Sequence, residues 1–573
     1  MTMKTRSFCK RSTFVLTGIS WLGSLCLAIA LCGSPAHAQG TFTAASCNRS
    51  DVNAVINGPT HTAVNGDTIV IPATGSPCTW TSGITISGKG IDITGTGNPN
   101  SGGGTTGAGT SNTTIIDNIS NPGILFAFTN LSFGQTAKIE LLTLSASGAG
   151  VNSISGPMEF SGTCTSSGCA NFRVDNINFS AGTWESPVSG GLVVIDNVFG
   201  VVDHNTVNEA TSDASPLVQV NYSSWQGVGN YGDNSFASAD TFGTAQTVYI
   251  ENNLISGIQA SQNDVAPPGL NAGGARWVCR FNTVPVLTGS SFCSGHGTAW
   301  TGRPRGQRQV ESYYNNITVS AGHTCDSIHG MNGGAGIYLS NSISAPGAGC
   351  NKFVAVDNPM FIKNVAPWGL CSSTNAYNQY PCSATSAYID QPGSGAGGLL
   401  ENLTSPVLVS NTNCATAFAS SPSTANSCWP NPTLDPIYEA GDVMTAGGLG
   451  APVVIASDGT STRVLFNRDV YAEVSQAAQT SSTSPFNGTT GTGYGTLANR
   501  PTTCTAGVGY WATDQGTWNT FNSQEGIFYT CNVGGNAWSV YYTPYTYPHP
   551  LEAGGTTVTD QPPNPSNLTA TVQ

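Results

Sequence analysis

The 573-residue sequence predicts an all-β protein: a single-stranded right-handed parallel β-helix with a small aromatic-rich module near its C-terminus. Three observations lead to this prediction. Short β-type segments recur and end in similar asparagine-containing turns. Cysteines fall in near-neighbour pairs along the chain. Glycine is abundant, at 70 residues, and charged residues make up only 9 % of the chain, a composition that disfavours helices and favours strands and turns.

The recurring segments carry the most weight. They are Phe172–Phe179, Val201–Val207, Val248–Ile255, Val278–Val284, Glu311–Ile317 and Tyr338–Ile343. We align Asn205, Asn253, Asn282, Asn316 and Asn341 as equivalent positions. Spacings of about 25 to 50 residues suit solenoid coils with loop insertions. Asparagine tolerates the left-handed turn conformation and can hydrogen-bond its equivalent in the next coil.

The alternative fold is an antiparallel β-sandwich, which would need tight Asn-Gly links between consecutive strands. Such dipeptides begin at Asn57, Asn65, Asn332 and Asn487, but none joins consecutive members of the repeat. The sequence therefore favours the solenoid.

The domain boundaries follow from composition. Residues 1–38 have a basic start, an apolar run and the small-x-small pattern Ala36-His37-Ala38, which predicts a Sec-type signal peptide and a secreted or cell-surface protein. We assign residues 39–500 to the β-helix, with Ser50–Asn57 as a helix that caps its first coil. Residues 501–552 form the predicted aromatic module, and residues 553–573 a flexible Pro/Thr-rich tail.

The cysteines indicate that the protein functions in an oxidising compartment. Fourteen of the 17 lie beyond the predicted signal peptide, and none forms a CxxC pair, so local disulfides are expected rather than metal-binding thiolates. Our hypothesis is sequential pairing, which gives Cys47–Cys78, Cys164–Cys169, Cys279–Cys293, Cys325–Cys350, Cys371–Cys382, Cys414–Cys428 and Cys504–Cys531.

Charge limits the possible partners. The chain has 31 acidic and 18 basic residues, which argues against nucleic acid or an anionic membrane as a general partner. No segment after the predicted signal peptide has the ~20 unbroken apolar residues that a membrane span needs. We expect a monomer whose partner is an extracellular polysaccharide.

Several motifs resemble a known superfamily. The segment Gly66–Pro72, followed by Cys78-Thr-Trp80 and Ile84-Thr-Ile86, resembles the first coil of pectin-lyase-like right-handed β-helix proteins. Ile389–Gly393, Phe466–Asp469 and Tyr542–Pro550 resemble segments of secreted β-helix repeat proteins from environmental bacteria. The resemblance covers about residues 45–470 and implies the fold. It does not choose among lyases, hydrolases, epimerases and adhesins.

Basic residues cluster in one part of this acidic chain. Arg276, Arg280, Arg303, Arg305 and Arg308 lie within 33 residues of sequence, near His296 and Glu311. His323, Asp326 and His329 follow on the next turn. If coils stack about 4.8 Å apart, these side chains could share one outer face. Arginine suits the bidentate capture of carboxylate or sulfate, so we predict a groove for a uronate-containing glycan.

The favoured reaction is β-elimination by a polysaccharide lyase. In this hypothesis Arg308 or Arg305 neutralises the uronate carboxylate, His296 removes the neighbouring proton, and Tyr313 is a possible acid. Arg276, Arg280, Arg303, Glu311, His323, Asp326 and His329 would bind substrate. No cofactor is certain. Ca²⁺ is possible, since Asp203, Glu209, Asp213 and Glu251 lie on suitable coils, although no dense acidic motif occurs.

Three alternatives remain open at this point. The arginines could simply form surface salt bridges, which contribute little. The protein could be a non-catalytic carbohydrate-binding or adhesin-like β-helix, whose C-terminal aromatics stack on sugars or pack a small core. Gly295-His296-Gly297 also resembles a polygalacturonase motif, but the paired aspartates that a hydrolase of that type needs are missing. His204 is expected to be a turn residue rather than a catalytic one.

Overall fold

A computed structural model describes most of the chain beyond residue 38. The described residues are 39–119, 124–147, 156–164, 168–180, 191–208, 217–222, 240–258, 270–271, 274–287, 292–295, 307–321, 327–347, 352–356, 392–395, 399–400, 408–409, 429–430, 433–447, 451–455, 464–473 and 486–553. The predicted signal peptide and C-terminal tail lie outside this part. No helix of the described residues is long and apolar enough to cross a membrane.

The chain forms a parallel β-helix, as predicted. Ten coils contribute one strand to each of three walls, wall 1 has two further strands at its ends, and each wall is a stack of parallel strands. Wall 1 is a 12-stranded sheet. Its strands are Thr41–Thr43, Thr68–Val70, Asp92–Thr94, Thr136–Glu140, Ala170–Asp175, Val198–Asp203, Val248–Glu251, Arg276–Arg280, Gln309–Tyr313, Ala335–Leu339, Ile437–Ala440 and Val470–Tyr471.

Wall 2 follows wall 1 in each coil and is a ten-stranded parallel sheet. Its strands are Cys78–Trp80, Thr113–Asp117, Leu142–Ala146, Asn178–Phe179, Thr206–Asn208, Leu254–Ile258, Thr283–Leu287, Asn316–Val319, Ser342–Ser344 and Val443–Ala446.

Wall 3 consists of two five-stranded parallel sheets. The first contains Ile84–Ser87, Phe126–Ser132, Met158–Thr163, Val193–Asp196 and Val218–Tyr222. The second contains Leu270–Asn271, Ser294–Gly295, His329–Met331, Lys352–Val356 and Ala451–Ile455.

The interior is aliphatic and aromatic because alternate residues of every strand point inward. In Arg276–Arg280, for example, Trp277 and Cys279 belong to the core, whereas Arg276, Val278 and Arg280 face outward. Phenylalanines also stack from coil to coil, with the Phe128 and Phe160 ring centroids 5.0 Å apart. The helix Arg49–Ile56 covers the first coil and buries Val52, Val55 and Ile56, so the predicted N-terminal cap is present.

An asparagine ladder joins the coils where wall 1 turns into wall 2. Asn205, Asn253, Asn282, Asn315 and Asn341 are buried, and each side-chain oxygen accepts the backbone N–H of the equivalent residue one coil earlier. Asp442 closes the series by accepting from Asn341. The predicted position Asn316 is wrong by one residue, because Asn316 begins a wall 2 strand and its side chain is exposed.

The left-handed residue of each turn is not the ladder asparagine but the residue before it. This position has a φ between 50° and 57° in six consecutive coils. It is occupied by Asn176, His204, Asn252, Phe281, Tyr314 and Ser340. The two properties that suit asparagine to the turn, left-handed backbone and stacking, are therefore divided between adjacent residues. His204 takes the left-handed position and is a turn residue, as expected.

Four of the seven expected disulfides lie within the described residues and are formed: Cys47–Cys78, Cys164–Cys169, Cys279–Cys293 and Cys504–Cys531. The other three expected pairs, Cys325–Cys350, Cys371–Cys382 and Cys414–Cys428, lie outside the described residues. Disulfides of this kind fit an extracellular protein.

The C-terminal sheet has four strands, Thr492–Gly495, Gly509–Ala512, Ile527–Cys531 and Trp538–Tyr542. It begins before residue 501, the expected start of the aromatic module. Its inner face, with Trp511, Phe528 and Tyr542, shares one buried cluster with outward side chains of wall 1 such as Tyr249 and Tyr313.

Smaller elements complete the described structure. Gly97–Asn98 pairs with Thr110–Ser111, Ser394–Gly395 pairs with Thr433–Leu434, and Leu399–Leu400 pairs with Leu408–Val409 and Trp429–Pro430, all antiparallel. Two 3-10 helices span Leu497–Asn499 and Pro550–Ala553.

Candidate functional site

Four of the predicted site residues come together on the outer face of wall 1. The strand register places Arg280 beside Tyr313, Val278 beside Glu311, and Arg276 beside Gln309. Because alternate residues of a strand share a face, Arg276, Arg280, Glu311 and Tyr313 all point away from the solenoid interior. Arg276, Arg280 and Glu311 therefore share one outer face with Tyr313, but all four are fully buried.

The cover over these residues comes from other parts of the chain. Glu311 accepts from Tyr542 and Gly243, and Arg276 donates to Thr241. Arg280 is covered by the C-terminal arm, which we define as residues 543–553. The guanidinium of Arg280 donates from Nη1 to the Tyr545 carbonyl at 2.7 Å and from Nη2 to the Thr546 carbonyl at 2.9 Å. Its Nε donates to Glu251 Oε2 at 2.5 Å. The backbone N–H of His549 donates to the other oxygen of Glu251 at 2.7 Å. The predicted open groove is consequently filled by protein.

Burial and neighbouring charges shift the pKa values of Glu251, Glu311 and Tyr313. Burial alone would raise the pKa of Glu251, but the adjacent Arg280 guanidinium lowers it below its usual value. Glu311 lacks so close a cation, and burial raises its pKa to about 7 although the Tyr542 hydroxyl and the Gly243 N–H both donate to it. Burial likewise raises the pKa of Tyr313 above its ordinary value.

Arg308, the first candidate for neutralising a substrate carboxylate, already has a protein carboxylate. Its Nη1 lies 2.6 Å from Asp435 Oδ2, and its side chain is only 1 % exposed. The hydroxyl of Tyr541, from the C-terminal sheet, donates to the other oxygen of Asp435 at 3.2 Å. Arg276 donates to the Thr241 hydroxyl at 3.2 Å, and burial and Arg308 lower its pKa well below the ordinary value.

His329 does not belong to the outer face. It lies in the second sheet of wall 3, in register with the core residue Val354, and it is fully buried beside Tyr338. Its Nδ1 is 2.7 Å from the Phe292 carbonyl, and burial lowers its pKa to about 4. A neutral interior histidine cannot bind an external polyanion, so the substrate-binding role predicted for His329 is not supported by its position. His296, Arg303, Arg305, His323 and Asp326 lie outside the described residues.

One group of described side chains has the spacing of a metal site. Ligand atoms of Asp175, Asp203 and His204 lie within 4.8 Å of one another. Arg173 occupies the space between them, since its Nη2 is 2.6 Å from Asp203 Oδ2 and 3.0 Å from Asp175 Oδ2. Asn176 donates to the other oxygen of Asp175, and His204 Nδ1 lies 2.9 Å from Asp203 Oδ2, the oxygen that Arg173 also contacts. The donors of the group thus face Arg173 rather than an open cation position. Of the other residues proposed for Ca²⁺, Glu251 is paired with Arg280, and Glu209 and Asp213 lie outside the described residues.

The sequence left open whether the C-terminal aromatics stack on sugars or pack a small core, and it did not single out Arg500. We define the aromatic outer face of the C-terminal sheet as Tyr510, Tyr529, Trp538 and Val540 together with Arg500. Tyr529 pairs with Tyr510 on one side and Val540 on the other, so these residues share the face opposite to Trp511 and Phe528. Val540 is 57 % exposed, and Trp538 and Tyr529 are half-buried. A signal was available in the uncharged run from Ile527 to Pro548.

Three further carboxylates are buried near the last described coils. Glu439 accepts the N–H of Glu473, Glu473 accepts the N–H of Gly441, and Asp442 accepts from Asn341. Within the described part of the chain neither Glu439 nor Glu473 forms a salt bridge. Burial raises the pKa of Asp442 to about 7, that of Glu473 to about 8, and that of Glu439 well above its usual value.

This cluster predicts a pH-dependent stability. A carboxyl whose pKa is raised by folding binds more protons in the folded state, so its contribution falls as the pH rises from the unfolded value near 4 through the folded value. Glu473→Gln should therefore raise the free energy of unfolding by about 2 kcal/mol at pH 8 and much less at pH 5. Urea denaturation at both pH values measures this. Glu525→Gln, a change at a partly exposed residue, is the control, and a gain independent of pH would contradict the expectation.

Comparison of the chain with protein-family models, with curated proteins and with solved structures finds no match. The roles of individual residues therefore rest on the geometry described above.

Proposed function

We propose that this chain is an exported parallel β-helix protein that binds polysaccharide without cleaving it, through the aromatic outer face of its C-terminal sheet. The observation that carries the proposal is a contrast in exposure. The described arginine, glutamate and tyrosine residues suited to lyase chemistry are buried, with Arg280 bonded to the C-terminal arm and Glu311 to Tyr542. Tyr529 and Trp538 instead are partly exposed, and strand alternation places Tyr529 on the face opposite to Phe528.

The chemistry of this face suits sugars. Aromatic rings offer flat apolar surfaces with little conformational entropy to lose, and the C–H faces of a pyranose pack against such surfaces. Trp538 is held in place, because its indole N–H donates to the Pro501 carbonyl at 2.7 Å and its ring contacts Tyr510. A fixed ring loses little freedom on binding, which favours affinity. The disulfides and the predicted signal peptide support an extracellular setting.

The test is binding by the full mature chain. Affinity electrophoresis and glycan-array measurements should detect a polysaccharide ligand, and Trp538→Ala should weaken its binding about tenfold or more, because truncating a central tryptophan typically costs ~2 kcal/mol. Phe133→Ala removes an exposed ring from the β-helix and is the matched control. Melting curves exclude unfolding, and Tyr529→Ala provides a second variant. Unchanged binding in both sheet variants would overturn the proposed face.

The polysaccharide lyase is the second candidate, supported by the convergence of Arg280, Glu311 and Tyr313 on one face of wall 1. A substrate would first have to displace the C-terminal arm. Incubation with pectate, alginate and glycosaminoglycans in the same binding series distinguishes the two, since a lyase releases unsaturated uronate that absorbs in the ultraviolet. Such a product, lost in Tyr313→Phe, would replace the binding proposal by the enzymatic one.

A further inference from the structure

Arg500 is held between two rings of the aromatic outer face. It follows the 3-10 helix Leu497–Asn499, and its backbone N–H donates to the Leu497 carbonyl at 3.1 Å. The guanidinium carbon lies 4.3 Å from the centroid of Tyr529 and 5.5 Å from that of Trp538. Because Trp538 bonds the carbonyl of Pro501, the residue next to Arg500, the ring and the guanidinium are fixed by the same short segment.

Arg500 differs from the buried arginines in having no carboxylate partner among the described residues. Arg173, Arg280 and Arg308 each lie 2.5 to 2.6 Å from an aspartate or glutamate oxygen. The Nη1 atom of Arg500 is shielded from solvent and has no hydrogen-bond partner within the described structure. An arginine that stacks on two rings but has no anion is unusual in a chain with 31 acidic and 18 basic residues.

The surroundings of Arg500 favour an anionic ligand. The two strands that carry Tyr529 and Trp538 contain no acidic residue, and the chain is uncharged from Ile527 to Pro548. A polyanion that approaches these two strands therefore meets Arg500, while the neighbouring carboxylate of Asp514 accepts the backbone N–H of Leu497 at 2.7 Å. The guanidinium plane presents paired donors that match carboxylate and sulfate oxygens, and stacking on aromatic rings orients it.

We propose that the aromatic outer face selects acidic glycans, with Arg500, oriented by its stacking on Tyr529, binding the carboxylate or sulfate of a sugar whose ring packs beside it against Trp538. This inference rests on the proposed function and adds the ligand class to it. The aromatic rings supply affinity for any pyranose chain, while Arg500 supplies the preference for the charged one. Binding should be salt-dependent, because Arg500 as a whole is partly exposed and dissolved ions can screen its ion pair.

The experiment compares polygalacturonate, heparin and the neutral polymer galactan on the full mature chain by isothermal titration calorimetry. The wild-type protein should bind at least one acidic polymer about tenfold more tightly than galactan, since a charge-assisted hydrogen bond contributes roughly that factor. Arg500→Gln should remove this preference and leave galactan binding unchanged. Arg500→Lys, which retains the charge without the paired donors, should fall between the two.

Controls distinguish the role of Arg500 from the proposed binding of polysaccharide. Arg468→Gln alters a partly exposed arginine that already pairs with Asp469, and it should not change the acidic preference. Equal affinity for acidic and neutral polymers, or an acidic preference retained by Arg500→Gln, overturns the role of Arg500 and leaves the proposed function standing. Binding of no polymer by the wild-type chain overturns both. Poly-glutamate binding as tight as polygalacturonate binding would show that charge alone is recognised and would overturn the inference.

Discussion

Replacing Asn315 with alanine should lower the free energy of unfolding by about 3 kcal/mol, because several buried hydrogen bonds lose their partner. The Nδ2 atom of Asn315 donates to the Cys279 carbonyl at 2.9 Å and to Asn341 Oδ1 at 2.9 Å. Its oxygen accepts from the backbone and side chain of Asn282. Alanine would leave these groups without a hydrogen-bond partner from either water or protein. Urea denaturation measures the resulting loss in the free energy of unfolding.

The matched control is the adjacent residue. Asn316→Ala removes the same side chain from an exposed strand position, and it should change the unfolding free energy by less than about 0.5 kcal/mol. Equal effects of the two changes would mean that the ladder register is wrong, and a large effect of Asn316→Ala alone would restore the register that the sequence first suggested.

Replacing Arg280 should be the second change that strongly lowers the free energy of unfolding. Arg280→Met leaves Glu251 buried without its cation and frees two carbonyls of the C-terminal arm, so we expect a loss of about 3 to 5 kcal/mol. Urea denaturation measures the loss. Because Arg280 anchors the arm to wall 1, limited proteolysis should also cleave the arm of this variant sooner than that of the wild-type protein.

Two comparisons test the physical reason for this loss. Lys138→Met disrupts an ion pair with Glu140 whose side chains are each 20 % exposed, and it should cost less than about 1 kcal/mol. Replacing Arg280 and Glu251 together by methionine should recover much of the stability, because no unpaired charge then remains. A double variant as unstable as Arg280→Met would show that the lost charge pairing is not the cause.

The fold could be predicted from the sequence because the same turn recurs, but the turn's register could not be predicted at every coil. At Glu251-Asn252-Asn253 the first asparagine takes the left-handed backbone and the second stacks. The pair Asn315-Asn316 invites the same interpretation. There, however, Tyr314 takes the left-handed position, which is uncommon for an aromatic residue, and the ladder falls on Asn315.

The candidate site was predictable only in part, for a different reason. Strand alternation and the coil repeat suffice to place Arg276, Arg280, Glu311 and Tyr313 on one face. The cover over that face comes from residues far along the chain, such as Tyr542 on Glu311 and His549 on Glu251, and no periodic pattern signals such contacts. Arg500 was overlooked because its neighbours, Tyr529 and Trp538, are brought to it by the antiparallel pairing of the C-terminal sheet.

The cover over wall 1 has a consequence for biogenesis. Arg173 donates to the carbonyl of Glu552, 379 positions later, and Glu251 accepts from His549, 298 positions later. The central coils therefore expose charged side chains until the ribosome has released almost the whole polypeptide. Contacts of such long sequence separation form slowly, so docking of the arm should be a late step of maturation. A nascent chain that ends before residue 543 would present a face quite unlike that of the finished protein.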